Sequence, residues 1–142
     1  MLNKFLEKRI LIVQEVDSWQ QSIEIAAQKL LEEGYITRGY VDSMIGNIVQ
    51  NGSYVVIIPQ VAIPHSRPEE GAKGTAISLL KLNTPVKYPE DKEVTLIFVL
   101  AAKDSDSHME LIGELVDLLQ DKDRLEQMMA SQTVEDIKNL LL

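Results

Sequence analysis

The chain has 142 residues, 45% of them hydrophobic and 25% charged. At about 150 residues per domain this predicts a single domain over 1–142, large enough to bury its own core. Cysteine is absent, which excludes disulfides, thiolate zinc sites and a cysteine nucleophile. The net charge of −8 argues against nucleic acid as a partner, because binding a phosphate polymer normally needs a basic patch.

The segment Met1–Arg9 carries charges throughout and lacks the apolar core of a secretory signal. The longest uncharged apolar run, Val94 to Ala102, has nine residues, against about twenty for a membrane span. A cytoplasmic protein without membrane insertion is therefore expected. Ile10-Leu-Ile-Val13 reads as a short buried strand. Ser18 with Gln21 forms a capping box, followed by Ile23, Ala26, Ala27, Leu30 and Leu31 at helical spacing and by Gly34 as a stop. A second helix begins at Thr37, carries Val41, Met44, Ile45, Ile48 and Val49, and ends at Asn51-Gly52.

The middle of the chain is extended. Tyr54 to Ile58 is a strand stopped by Pro59, and Val61 to Ile63 resumes it, with Pro64 holding Ile63 out of the helical region. Ala76 to Leu82 is a third strand. Val94 to Leu100, apolar almost throughout, is a fourth and is expected at the centre of the sheet. Ser107-His-Met-Glu110 reads as a capping box that opens a helix with a wide apolar face. Lys122 to Met129 and Val134 to Leu142, the latter capped by Thr133 with Asp136, complete a helical end. The order β-α-α-β-β-β-α-α-α predicts a layered α/β domain with a mixed sheet.

Two histidines are the versatile chemical groups. His65 follows a predicted strand and stands between Pro64 and Pro68, so its backbone is stiffened. His108, read as the first residue of its helix, would sit among unpaired N–H groups at the positive end of the dipole. There it would tend to be neutral, beside a ready anion site. Ser66 and Arg67 would add a hydroxyl and a cation. Composition alone also allows blander readings: a surface histidine, a solvated first-turn residue, and a weak pair between Arg67 and Glu69 or Glu70. Asp104 and Asp106 beside His108 supply no second histidine at helical spacing, so neither a metal nor a cofactor is expected.

Val61-Ala-Ile-Pro-His65 followed by Ser66-Arg67-Pro68 resembles the active-site motif of the enzyme IIA domains of the bacterial phosphoenolpyruvate-dependent sugar phosphotransferase system, mannitol/fructose class. Leu30 to Ile45, Val94 to Ala102, Asp104 and His108 to Leu115 extend the resemblance over nearly the whole chain. Gln50 to Tyr54, Pro64 to Gly71 and Lys103 to His108 are most like the ascorbate-type branch. Gln60 departs from the glycine the family often has there. The second helix lacks the arginine that mannitol-type members place near its end, a role Arg67 would share.

The resemblance implies a three-layer α/β/α sandwich. His65 would be the phosphorylated residue and His108 the second active-site histidine, with Ser66 and Arg67 stabilising the phosphoryl group. It further implies that phosphate arrives from HPr, passes to a cysteine of an enzyme IIB component, and serves a membrane IIC permease for a sugar or sugar acid. Three alternatives stay open at this point: a regulatory relative whose phosphorylation signals, an acid–base enzyme using both histidines on a small molecule, and an interaction module with inert histidines.

Overall fold

The structure, a computed structural model, describes Leu6 and residues 8–141. The reading of Met1–Arg9 as no secretory signal rests largely on residues outside that range, and Leu142 also lies outside it. The elements are β1 (Ile10–Val13), α1 (Trp19–Glu32), α2 (Arg38–Asn51), β2 (Val56–Ile58), β3 (Gln60–Ala62), β4 (Ala76–Tyr88), β5 (Lys92–Ala101), α3 (Ser105–Leu119), α4 (Lys122–Ala130) and α5 (Val134–Leu141). Short 3-10 turns at Pro68–Glu70 and Pro89–Asp91 flank β4.

The five strands form one mixed sheet in the order β1-β4-β5-β3-β2. β5 runs antiparallel to β4 and parallel to β3, β1 is parallel to β4, and β2 is antiparallel to β3. β5 is therefore internal, as the almost wholly apolar run from Val94 to Ala101 requires. The strand expected from Tyr54 starts only at Val56, because Tyr54 and Val55 lie in a turn closed by Val56 N–H donating to the Ser53 carbonyl at 3.0 Å; the chain then folds back at Pro59 into two short antiparallel strands. β4 runs past Leu82 to Tyr88, with a register shift between Lys81 and Val86. Pro85 falls within that irregularity, where the missing N–H breaks no regular ladder.

Side chains alternate across the sheet and define two cores. Along β5, Ile97, Val99 and Ala101 face α1 and α2, while Leu96, Phe98 and Leu100 face α3, α4 and α5. Ile23, Ala27, Leu30, Val41, Met44 and Ile48 fill the first core, and Leu111, Leu115, Met128 and Ile137 fill the second. The result is the three-layer α/β/α sandwich. Lys81 lies on the second face almost without exposure. Its Nζ donates to Asn83 Oδ1 at 2.6 Å and to the Ser131 carbonyl at 2.8 Å, at the C-terminal end of α4, where a cation suits the helix dipole.

The helix caps follow the sequence with one correction. Ser18 Oγ accepts from Gln21 N–H at 3.1 Å, Thr37 Oγ1 from Tyr40 N–H at 3.3 Å, and Thr133 Oγ1 from Asp136 N–H at 3.1 Å. Gly34, at φ 79, follows α1 in the left-handed conformation that ends helices. α3, by contrast, does not start at Ser107. Its cap is Asp104, whose Oδ1 accepts from Ser107 N–H at 2.7 Å, and His108 N–H donates to the Asp104 carbonyl at 3.1 Å. Asp104 and Ser107 are both good cap residues three positions apart. The earlier one wins because it adds most of a helical turn of backbone hydrogen bonds.

Candidate functional site

Parallel β3 and β5 deliver their C-terminal ends to the same edge of the sheet, the usual place for a site in an α/β fold. The chain leaving β3 carries His65, and the chain leaving β5 turns into α3, which carries His108. The two imidazole centroids lie 5.3 Å apart with planes inclined by 55°. Both rings line an open cleft of about 530 Å³ together with Ser66, Arg67, Asn47, Asn51, Tyr54 and Met109. The four residues singled out from sequence, His65, Ser66, Arg67 and His108, are thus brought into one place.

His65 Nδ1 lies 2.7 Å from the carbonyl oxygen of Ile63. A carbonyl can only accept, so Nδ1 carries a proton, and in the neutral ring the lone pair is then on Nε2. The ring of Tyr54 meets that of His65 edge-on, with centroids 6.4 Å apart. Burial, and then the proximity of His65, lower the pKa of His108 below its ordinary value. The shift favours the neutral ring, the direction expected from sequence, but the cause differs. The His108 N–H is inside the helix hydrogen-bond ladder, and desolvation with a second imidazole does what the helix end was expected to do.

Ser66 is buried. Its Oγ is 2.7 Å from Ser43 Oγ and 3.5 Å from Asn47 Nδ2, so the hydroxyl is turned toward α2. Arg67 is exposed at the rim, one residue before the 3-10 turn. Tyr40, Ser43 and Asn47 form a polar row on α2 that sequence reading assigned to no site. Their spacing of three and four residues, continued at Asn51, was the available signal. Tyr40 Oη donates to the Leu100 carbonyl at 2.7 Å and accepts from Ser66 N–H at 3.0 Å. Chemically, the cleft offers a nitrogen nucleophile at His65, a second imidazole at His108 and an exposed cation at Arg67. That set suits receiving and releasing an anionic electrophile such as a phosphoryl group.

Gln60 has φ 73, in the left-handed region where glycine is favoured, and the β3 register shifts beside it. The side chain stands where the resembled family often has glycine, and its Oε1 is buried without a partner.

Comparison with known proteins identifies one family. The family model described as phosphoenolpyruvate-dependent sugar phosphotransferase system, EIIA 2, matches residues 4–142. The chain is similar to the mannitol-specific cryptic phosphotransferase enzyme IIA component of Escherichia coli, with 33% identity over 96% of this chain and 94% of that protein. It is also similar to the ascorbate-specific PTS system EIIA component of Escherichia coli, with 31% identity over 94% of this chain and 89% of that protein. The solution structure of the mannitol-specific cryptic enzyme IIA from Escherichia coli superposes with a TM-score of 0.93 at 32% identity, over 99% of this chain and 97% of that one.

Proposed function

The chain belongs to the EIIA 2 family of the phosphoenolpyruvate-dependent sugar phosphotransferase system, and on that premise we propose that it is a phosphohistidine carrier loaded at His65. The observation that carries the reading is the 2.7 Å contact of His65 Nδ1 with the Ile63 carbonyl, which leaves Nε2 as the nucleophile. The donor is phospho-HPr. Nε2 attacks phosphorus in line, the N–P bond to the HPr histidine breaks as the new N–P bond forms, and HPr recovers its imidazole lone pair. The phosphorylated ring retains Nδ1–H and is formally cationic, a state that the Ile63 carbonyl stabilises.

Neutral His108 donates one hydrogen bond to a phosphoryl oxygen, and Arg67 supplies a cation. Ser66 lines the cradle beside them, with its hydroxyl committed to Ser43 and Asn47 on α2. Transfer onward forms a P–S bond at a cysteine of enzyme IIB as the Nε2–P bond breaks; this chain has no cysteine of its own. No metal or cofactor takes part in this scheme. The cargo of the associated IIC permease is a sugar or sugar acid of the ascorbate kind, supported by the Pro64 to Gly71 and Lys103 to His108 segments. The similarity to a mannitol-type component favours a second reading, a polyol cargo.

Incubation with purified phospho-HPr in the presence of a chelator tests the chemistry. Acid-labile phosphate on the wild-type chain and none on His65→Ala is the expected result. Full labelling of His65→Ala sinks the assignment, and strict metal dependence contradicts the metal-free scheme. Presenting the loaded protein to ascorbate-type and mannitol-type IIB components decides the cargo: transfer to the mannitol type alone overturns the ascorbate reading.

A further inference from the structure

Leu100 N–H donates to the Pro64 carbonyl at 3.1 Å, which places His65 opposite Leu100 in the continuing β3–β5 register. A parallel ladder would next join Ser66 N–H to the Leu100 carbonyl directly. That bond is replaced by the hydroxyl of Tyr40, which accepts from Ser66 N–H at 3.0 Å and donates to the Leu100 carbonyl at 2.7 Å. Tyr40 is 1% exposed, so neither peptide group it serves has a ready substitute in water. The phenol therefore sits as a spacer at the point where the chain bearing His65 parts from the sheet.

The same face of α2 grips this loop elsewhere. Ser43 and Asn47 hold the Ser66 hydroxyl, and Thr37 N–H, at the α2 cap, donates to the Gly71 carbonyl at 3.1 Å. Gly71 has φ 132, and a Cβ there would strike the Thr37 hydroxyl. Both ends of the loop are thus fastened to one helix.

We propose that Tyr40 is a positioning residue for phosphoryl transfer: its hydroxyl, inserted between Ser66 N–H and Leu100 C=O, sets the backbone at His65 so that Nδ1 is locked on Ile63 and Nε2 stays available. The proposal rests on the reading of His65 as the phosphoryl acceptor. Burial pushes the phenol up to about 12, so it keeps its donor proton over the range in which transfer is measured.

Tyr40→Phe removes the hydroxyl and keeps the ring. Tyr88→Phe is the control: it also loses a buried phenol hydrogen bond, 2.8 Å to Ser22 Oγ, but at the far end of β4. Transfer from phospho-HPr and the long-range ¹H–¹⁵N spectrum of the imidazoles are recorded for wild type and both variants. Tyr40→Phe is expected to lower kcat by about ten- to a hundredfold, the usual cost of a misplaced reacting atom. KM for phospho-HPr should stay within about twofold, since docking is untouched. Its His65 spectrum should lose the pure Nδ1–H pattern. Tyr88→Phe should lower the melting temperature and leave kcat and the His65 spectrum unchanged. A wild-type kcat and spectrum in Tyr40→Phe, or an equal loss in both variants, overturns the proposal. If the wild-type chain takes no phosphate, the functional reading fails and the His65 spectrum alone decides: unchanged in Tyr40→Phe, it refutes the positioning role. Should Tyr40→Phe fail to fold, 3-fluorotyrosine at Tyr40 weakens the acceptor with the ring kept, and the His65 spectrum is read in the same way.

Discussion

His108 is one residue on which protonation, burial and chemistry meet. Its pKa is lowered by burial and by His65, while in the unfolded chain it returns to about 6.5. Below that value the unfolded chain takes up the proton first, so stability is complete above about pH 6.5 and falls as the solution is acidified. Urea midpoints measured on either side of this value should differ less for His108→Gln than for the wild type; an equal acid loss in both would show that His108 is not responsible. In transfer, losing one preorganised donor typically costs on the order of a hundredfold in rate. His108→Ala should therefore still accept phosphate from HPr and pass it to IIB far more slowly, with His108→Gln recovering part of the loss. Normal onward transfer by His108→Ala would remove it from the scheme. Gln60 carries a different burden, a left-handed backbone. For a residue with a Cβ that conformation costs about 1–2 kcal/mol, which glycine avoids in exchange for a smaller entropic loss. Gln60→Gly should raise the melting temperature, and a lowered one would mean that the packing of the Gln60 side chain outweighs the strain.

At the scale of elements, α3 depends on its first turn. Asp104 caps it, and hydrogen bonding from Ser107 N–H holds the Asp104 carboxyl below the usual carboxylate range. A depressed carboxylate stabilises the fold above its unfolded pKa, and that contribution disappears as pH falls through the folded value. Asp104→Ala should lower the melting temperature at neutral pH, and Asp104→Asn, which still accepts from Ser107, should restore most of it. Because His108 lies in the turn that this cap closes, Asp104→Ala should also slow transfer to IIB. Calorimetry and transfer assays on the same two variants check both effects. An Asp104→Asn protein as unstable as Asp104→Ala would mean that charge, rather than hydrogen bonding, holds the turn.

Across the whole molecule, one sheet serves two cores, so a cavity on either face is felt throughout. Phe98 is fully buried on the α3–α5 side, back to back with Ile97 and Val99 on the other. Phe98→Ala should cost roughly 3–5 kcal/mol, seen as a lower urea midpoint with a single transition by far-UV and near-UV dichroism alike. Two separated transitions would mean that the layers unfold independently. No helix among the described residues is long and apolar enough to cross a membrane.

Local sequence determined a good deal about this protein. The order of elements, the central place of Val94–Leu100 and the caps at Ser18, Thr37 and Thr133 all follow from periodicity and side-chain chemistry within a few residues. Pro64 and Pro68 marked His65 as rigidly held, and the motif around it pointed to the family. The tertiary structure decided what depends on distant partners. It chose Asp104 over Ser107 as the start of α3, because a helix extends to the cap that completes the most hydrogen bonds. It assigned the neutrality of His108 to burial and to His65, which lies 43 residues away in sequence, rather than to the helix end. It turned the Ser66 hydroxyl toward Ser43 and Asn47, and it brought Tyr40, which sequence reading assigned to no site, between the His65 loop and β5. Capping and periodicity are short-range effects and can be read along the chain. Desolvation and inter-element hydrogen bonds exist only once the layers have packed.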